Sequence, residues 1–346
     1  MKLISKVCSG ALLLAFSGSV FAGNPQRAGS AGGSELLINP WARSAGMGSA
    51  NVASVQGLNA TFLNIAGITS VESTTVGFSH TQWLEGAGIS INSAALNQRV
   101  SSGGVLTGSI TSVNFGELIR TNGANPDGGI GTVSPSTTII SVGYAQMFTK
   151  AIRGGVNLKL YNTQIVDLNV ATALVDAGVQ YVTGAEEEIK FGVTLRNVGP
   201  SAAFTGDGQS RRLPVPQGGF SQAFEEKSAE YEMPATLSLG GSYDFIFDQQ
   251  RLTLSGAFQS NSFQKDQYTV GAEYAVKELI MVRGAYTFFN NGENGATTTV
   301  SSGVSAGISV DLPLGKESEK DVSMDYAFRS TNTFSGSHSL GLTFKL

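Results

Sequence analysis

Cysteine is nearly missing from this sequence. The one thiol in 346 residues is Cys8, and it sits inside what reads as a secretory leader. Lys2 and Lys6 give that leader a positive start, Ala11 to Phe16 an apolar centre, and Val20-Phe21-Ala22 a small-residue cleavage site before Gly23. The apolar centre is too short to span a bilayer, and Cys8 precedes it, whereas an acylated cysteine should follow it. Processing after residue 22 would leave a chain without cysteine. That excludes disulfides, thiol catalysis and cysteine-based metal sites. Long apolar runs are missing as well: beyond the leader nothing approaches about 18 consecutive apolar residues, so transmembrane helices are excluded. Charge is scarce at 14%, and a net charge of −4 offers no basic surface to nucleic acid. What the chain does have is glycine, 44 residues of it, with an ordinary 41% of hydrophobic residues. Its mean hydropathy is near zero, the average expected of an apolar exterior, a polar lumen and hydrophilic loops.

From about Ser73 onward apolar and polar residues alternate. Ile189, Phe191, Val193 and Leu195 are set against Lys190, Gly192, Thr194 and Arg196. Leu252 and Leu254 oppose Arg251 and Thr253, and Val322 and Met324 oppose Ser323 and Asp325. Leu342 and Phe344, against Thr343, close the chain in the same way. A period of two means strands with one apolar and one polar face. Fourteen such segments are expected, near 73–84, 86–98, 102–115, 136–148, 151–164, 169–183, 187–197, 232–246, 250–260, 266–276, 278–290, 300–313, 319–329 and 337–346. Most have the length that a tilted strand needs to cross a membrane, about twice that of a soluble strand. The fold class expected is all-β: a fourteen-stranded antiparallel transmembrane barrel in the bacterial outer membrane.

Loop lengths give a second test. With the N-terminus taken as periplasmic, odd-numbered connections face outward, and the long ones, about 116–135 and 198–231, are odd-numbered. Even-numbered connections such as Thr149-Lys150 and Val276-Lys277 are tight. The division expected is a signal peptide at 1–22, an N-terminal segment at 23–72 and a barrel at 73–346. Residues 23–72 do not alternate and are rich in Gly, Ala, Ser and Asn. A barrel of fourteen strands is too wide for its own side chains to fill, so this segment is a natural plug. A disordered periplasmic tail is the alternative.

Within that segment, Ala42-Arg43-Ser44-Ala45-Gly46-Met47-Gly48 resembles the opening motif of PorV/PorQ-type outer-membrane proteins. Asn64-Ile65-Ala66-Gly67-Ile68 is similar to that family's NPAGL element, with Ile65 in place of the usual proline, and Thr81 to Leu84 fits a further stretch. The likeness covers roughly 40–85. It implies a FadL-like barrel with an N-terminal hatch, in which Trp41, Arg43, Asn64 and Gly67 are hatch residues. It also implies a component of the type IX secretion system of Bacteroidetes. The partners would be the translocon barrel and the C-terminal domains of cargo, in a setting of outer-membrane lipids and lipopolysaccharide.

No catalytic residue, metal ligand or cofactor site is expected. Gly46-Met47-Gly48 and Gly129-Ile130-Gly131 do not complete a phosphate-binding pattern, and Glu186-Glu187-Glu188 reads as a solvated run rather than a calcium site. His80 and His338 fall in the first and last strands, but Ser79, Ser337 and Ser339 have the opposite parity, which weakens a hydrolytic dyad. The longest outer loop combines Arg211, Arg212, Leu213, Val215, Phe220 and Phe224, residue types that dominate protein interfaces, and Phe204 is expected with them. Two functions remain open: a secretion component that binds protein through its loops, or a FadL-like channel for hydrophobic small molecules. A channel should hold an apolar lumenal pocket and a lateral opening. A shuttle should have a blocked lumen and apolar outer loops.

Overall fold

A computed structural model describes Arg27 and residues 29–216, 218, 220–289, 300–314 and 321–346. The expected signal peptide and the outer connection near 291–299 lie outside the described residues. Fourteen strands form one closed antiparallel barrel. They are β1 Thr74–Trp83, β2 Ile89–Arg99, β3 Gly104–Asn114, β4 Ser136–Met147 and β5 Ile152–Ile165. Next come β6 Leu168–Thr183, β7 Ile189–Val198, β8 Thr236–Phe247, β9 Gln250–Asn261 and β10 Gln267–Val276. The last are β11 Ile280–Phe289, β12 Ser301–Pro313, β13 Asp321–Thr331 and β14 Ser337–Lys345. β1 and β14 close the barrel in continuous register from Thr75↔Lys345 to Gln82↔His338.

The alternation sorts as the sequence predicts. Thr253, Ser255, Ser323 and Asp325 are buried inside, while Leu254 and Met324 are 45% and 53% exposed on the outer surface. An apolar surface of that extent, ringed by strands with no free edge, suits hydrocarbon rather than water. Two irregularities break the ladder. A bulge in β7 gives Asn197 a φ of 60° and turns both Arg196 and Asn197 inward. A shift in β12 lies between Ser301 and Ser305, and the β11–β12 pairing ends at Tyr286↔Val304, short of the end of β11.

The end with the long connections is taken as outer. Both long loops carry small hairpins there, Leu118–Ile119 with Thr132–Val133, and Ser210–Pro214 with Ser221–Glu225. β8 starts at Thr236 rather than 232, because Tyr231 and Glu232 are drawn off to bridge Ala202 and Ala31. A larger difference concerns the N-terminal segment. β1 does begin at the short-turn end, but Arg27 and residues 29–36 lie at the opposite, outer mouth. Arg27 pairs with Glu232 at 2.6 Å and sits 4.5 Å over the Phe263 ring. The chain therefore runs the length of the lumen before it enters the wall.

Candidate functional site

Residues 34–71 fill the lumen with short helical turns: Ser34–Leu37, α1 Ala42–Gly46, Gly57–Asn59, α2 Ala60–Leu63 and Ile65–Ser70. Small residues allow so tight a course, and Asn64 starts the last turn by accepting the Ala66 N–H at 3.2 Å. One flank of this hatch is apolar and interlocked. Val52, Val55, Ala60, Leu63, Ile65, Ile68 and Val71 form a buried cluster with Val105 and Ala145 of the wall. Backbone meets backbone through glycine: a Cβ on Gly67 would lie 2.1 Å from the Val55 carbonyl oxygen. A Cβ on the wall's Gly178 would lie 2.2 Å from Asn64 Oδ1, and one on Gly192 2.6 Å from the Val52 carbonyl oxygen. Asn64 also donates from Nδ2 to the Val52 and Val179 carbonyls, at 3.1 and 3.2 Å. Phe62 lies under Arg196, whose guanidinium carbon is 4.8 Å from the ring centroid. Trp41 is buried against Leu58 and Ala95.

The other flank is ionic. Arg43 reaches Asp311 at 2.5 Å and Asp325 at 2.8 Å. Burial works against the charge of Arg43, but Asp325 and Asp311 outweigh it and hold the guanidinium pKa above its ordinary value. From Asp325 a hydrogen-bonded row runs around the wall. Ser309 donates to Asp325, and Arg283 donates to Ser309 at 2.7 Å and to Glu273 at 2.8 Å. Arg251 pairs with Glu273 at 3.2 Å and donates to Thr253, which donates to Asp244 at 2.6 Å. Lys190 pairs with Asp244 and ends the row.

Beside this row, toward the short-turn end, lies a cavity of about 730 Å³ lined by Arg43, Arg251, Glu273, Asp311 and Asp325 among others. This lumenal space is thus polar, not the apolar pocket that a channel for hydrophobic molecules is expected to hold. The inward-facing carboxylates and cations of β8 to β13 keep it so. A second, small cleft of about 40 Å³ lies on the outer side of the hatch, between Leu36, Ile38, Trp41 and Phe62 and the wall's Ile91, Val113 and Ile139, with Thr61, Ser109, Thr111 and Ser141 among its polar lining. Glu35 and Lys159 also line it. Glu35 accepts from Tyr161 at 2.6 Å and Thr137 at 2.9 Å, and Lys159 pairs with Asp176 at 2.6 Å. Nearby Tyr231 has its phenol pKa raised, by burial and then by Glu35.

The outer hairpin carries the other predicted residues. Leu213, Phe220 and Phe224 are 49%, 59% and 46% exposed. Val215 donates its N–H to the Phe220 carbonyl at 3.0 Å, Arg211 pairs with Glu226 at 3.1 Å, and Arg212 is exposed. Phe204 departs from the expectation, because it turns inward against Tyr231, ring centroids 5.8 Å apart. His80 meets Asn92 and His338 meets Tyr326, both at 2.8 Å on the lipid side. Ser79 faces the lumen and donates to the Pro40 carbonyl at 2.7 Å, so no dyad forms. Among the described residues no cluster of His, Cys, Asp and Glu could hold a metal ion. Glu187 instead pairs with Arg153 at 3.4 Å.

A closed fourteen-stranded barrel with a helical N-terminal segment is the fold of FadL-like outer-membrane channels. The similar solved structures include the CymD monoaromatic hydrocarbon channel, 14% identical, with 89% of this chain and 97% of that one covered and a TM-score of 0.53. The Pseudomonas putida toluene transporter TodX is 10% identical over 88% of this chain and 97% of its own, with a TM-score of 0.54. A Pseudomonas aeruginosa FadL homologue is 10% identical over 89% and 97%, with a TM-score of 0.53. No family model matches the sequence, and no curated protein matches it. At such identities the likeness establishes fold.

Proposed function

We propose that this chain is a bacterial outer-membrane channel for small hydrophobic molecules, with residues 34–71 as its gate. The observation that carries the reading is the hatch itself. It separates a mainly apolar cleft under the outer mouth from a polar cavity at the other end. A hydrophobic solute would enter by the first, which at about 40 Å³ must widen to admit an aromatic ring, and leave through the second. The gate gives way along its ionic flank, where the Arg43 side chain is 26% exposed beside the cavity, whereas the apolar flank packs its carbonyls against wall glycines. The solved channels named for hydrocarbons and toluene support the solute class. The test is toluene uptake by a bacterium that lacks such a channel and expresses this chain. Uptake should exceed that of cells with an empty vector, and equal uptake would contradict the reading.

The narrower secretion reading gains nothing from the comparisons. Its structural support is the lumen filled by the hatch and the exposed Leu213, Phe220 and Phe224 beside Arg211 and Arg212, an apolar patch that a protein partner such as a translocon barrel or a cargo C-terminal domain could cover. Replacing residues 205–225 by a Gly/Ser linker separates the two. Loss of co-purifying proteins with toluene uptake intact would favour a docking role in addition to the channel.

A further inference from the structure

Most cations facing the lumen are matched by carboxylates. Arg43, Lys159, Lys190, Arg251 and Arg283 each meet one within ion-pair distance, and Arg99 donates to three carbonyl oxygens. Arg196 has no ion pair among the described residues and leaves its Nε unpartnered, but it donates to the Phe62 carbonyl and to Gln259, both at 3.4 Å. Arg329, near the outer end of β13, makes no side-chain hydrogen bond among the described residues. Its Nε and Nη2 are both buried without a hydrogen-bond partner, and among the described residues no carboxylate forms an ion pair with it. The neighbouring positions do not supply one. Arg329 is flanked in register by Ser305 of β12 and Ser337 of β14. Its guanidinium carbon lies 4.7 Å from the centre of the Trp83 ring. In the irregular part of β12, Ser302 adds a buried hydroxyl that also lacks a partner.

Arginine cannot shed its proton at any workable pH, so this charge must be met rather than neutralised. The Nε and Nη2 groups form one edge of the guanidinium, spaced to give two parallel hydrogen bonds to two oxygens of one acid group. Stacking on an indole holds the plane of that fork, and the edge, though buried, keeps its hydrogen bonds unmade. We propose that the Nε–Nη2 edge of Arg329, braced by Trp83, is a binding site for a carboxylate or phosphate group of a solute. The ladder is continuous on the β14 side, where Arg329 pairs with Ser337, and shifts register on the β12 side between Ser301 and Ser305. Arg329 stands near the outer end of β13, and the solute arrives through the outer mouth. The inference rests on the channel reading only in bringing a solute to that mouth.

The test is equilibrium binding to the full chain in neutral detergent, at fixed ionic strength made up with chloride. The probes are sodium benzoate and inorganic phosphate. Trp83 reports through its fluorescence, with Trp41→Phe removing the only other indole. At least one probe should quench Trp83 saturably with millimolar or tighter affinity, and Arg329→Gln should weaken that binding at least about tenfold. Arg329→Lys keeps the charge but loses the fork, so it should also fall well below the parent. The lysine variant decides the matter if the glutamine variant fails to assemble. Absence of saturable quenching by both probes, or equal affinity in the variants, overturns the proposal. Hydrocarbon uptake is a separate readout, so failure of the channel reading would be seen independently.

Discussion

The two flanks of the hatch face the same lumen but are held by different chemistry. Against β3 to β8 the hatch buries aliphatic side chains and brings its carbonyls into the places where wall glycines have no Cβ. Against β11 to β14 it makes one close backbone approach, where a Cβ on Gly46 would lie 3.0 Å from Gly307 Cα, and otherwise relies on the ion pairs of Arg43 with Asp311 and Asp325 beside the cavity. Ala42 and Ala45 pack against Ala327 there, but small side chains bury little area. An interlocked backbone contact is lost all at once or not at all. A partly exposed ion pair beside a cavity can be exchanged for solvation at a lower cost than a fully buried one. On the channel reading proposed above, the difference makes the apolar flank the hinge side and the ionic flank the latch.

The contrast can be broken from either side. The largest effect is expected from Gly67→Ala, since the added carbon would meet the immovable Val55 carbonyl at 2.1 Å. Overpacking of that kind should cost toward the upper end of about 1–3 kcal/mol. Amide exchange should then quicken across residues 52–68 while the barrel strands stay protected. Arg43→Gln should come next. Removing one member of a buried pair costs about 3–5 kcal/mol, but the Arg43 side chain is 26% exposed, so about 2 kcal/mol is expected. Exchange should quicken only near 40–48, and added salt should move the parent toward the variant. Uniform loosening of the whole hatch by Arg43→Gln would erase the distinction between flanks.

Smaller effects sharpen it. Asn64→Ala removes two donated bonds and one accepted bond from a buried position, which should cost about 1–2 kcal/mol of hatch protection without salt dependence. Phe62→Leu keeps the apolar volume but loses the contact with Arg196, and should cost about 0.5–1 kcal/mol. A salt-dependent loss in Asn64→Ala would mean that the apolar flank is electrostatic after all.

The wall was legible in the sequence because a membrane strand must be long and must alternate. The runs at Ile189 to Arg196 and Asp321 to Arg329 declare both faces without any knowledge of neighbours. The bulge at Asn197 was not legible: nothing before it signals the break, and its cause is the fit of Asn197 N–H to Asp176 at 2.8 Å across the ladder. The hatch could be found as the segment that does not alternate, and Trp41, Arg43, Asn64 and Gly67 could be singled out. Their partners could not. Gly178 and Asp325 are distant in sequence and ordinary in type, so only the closed barrel brings them to Asn64 and Arg43. The course of Arg27 and residues 29–36 at the outer mouth was hidden for the same reason, as was the unmatched charge of Arg329. An ion-pair partner is a property of the fold, and a single sequence does not record its absence.

The division into hinge and latch can be tested by fastening each flank in turn. A Cβ on Gly341 would lie 3.4 Å from the Cβ of Ala42, close to disulfide spacing, so Ala42→Cys with Gly341→Cys fastens the latch. A Cβ on Gly178 would lie 3.1 Å from Asn64 Cγ, so Asn64→Cys with Gly178→Cys fastens the hinge. Toluene uptake is then compared in oxidised and reduced cells expressing each pair. Oxidation should stop uptake through the first variant, reversibly, and leave the second unchanged. Arrest by the second disulfide with free passage through the first would contradict the account.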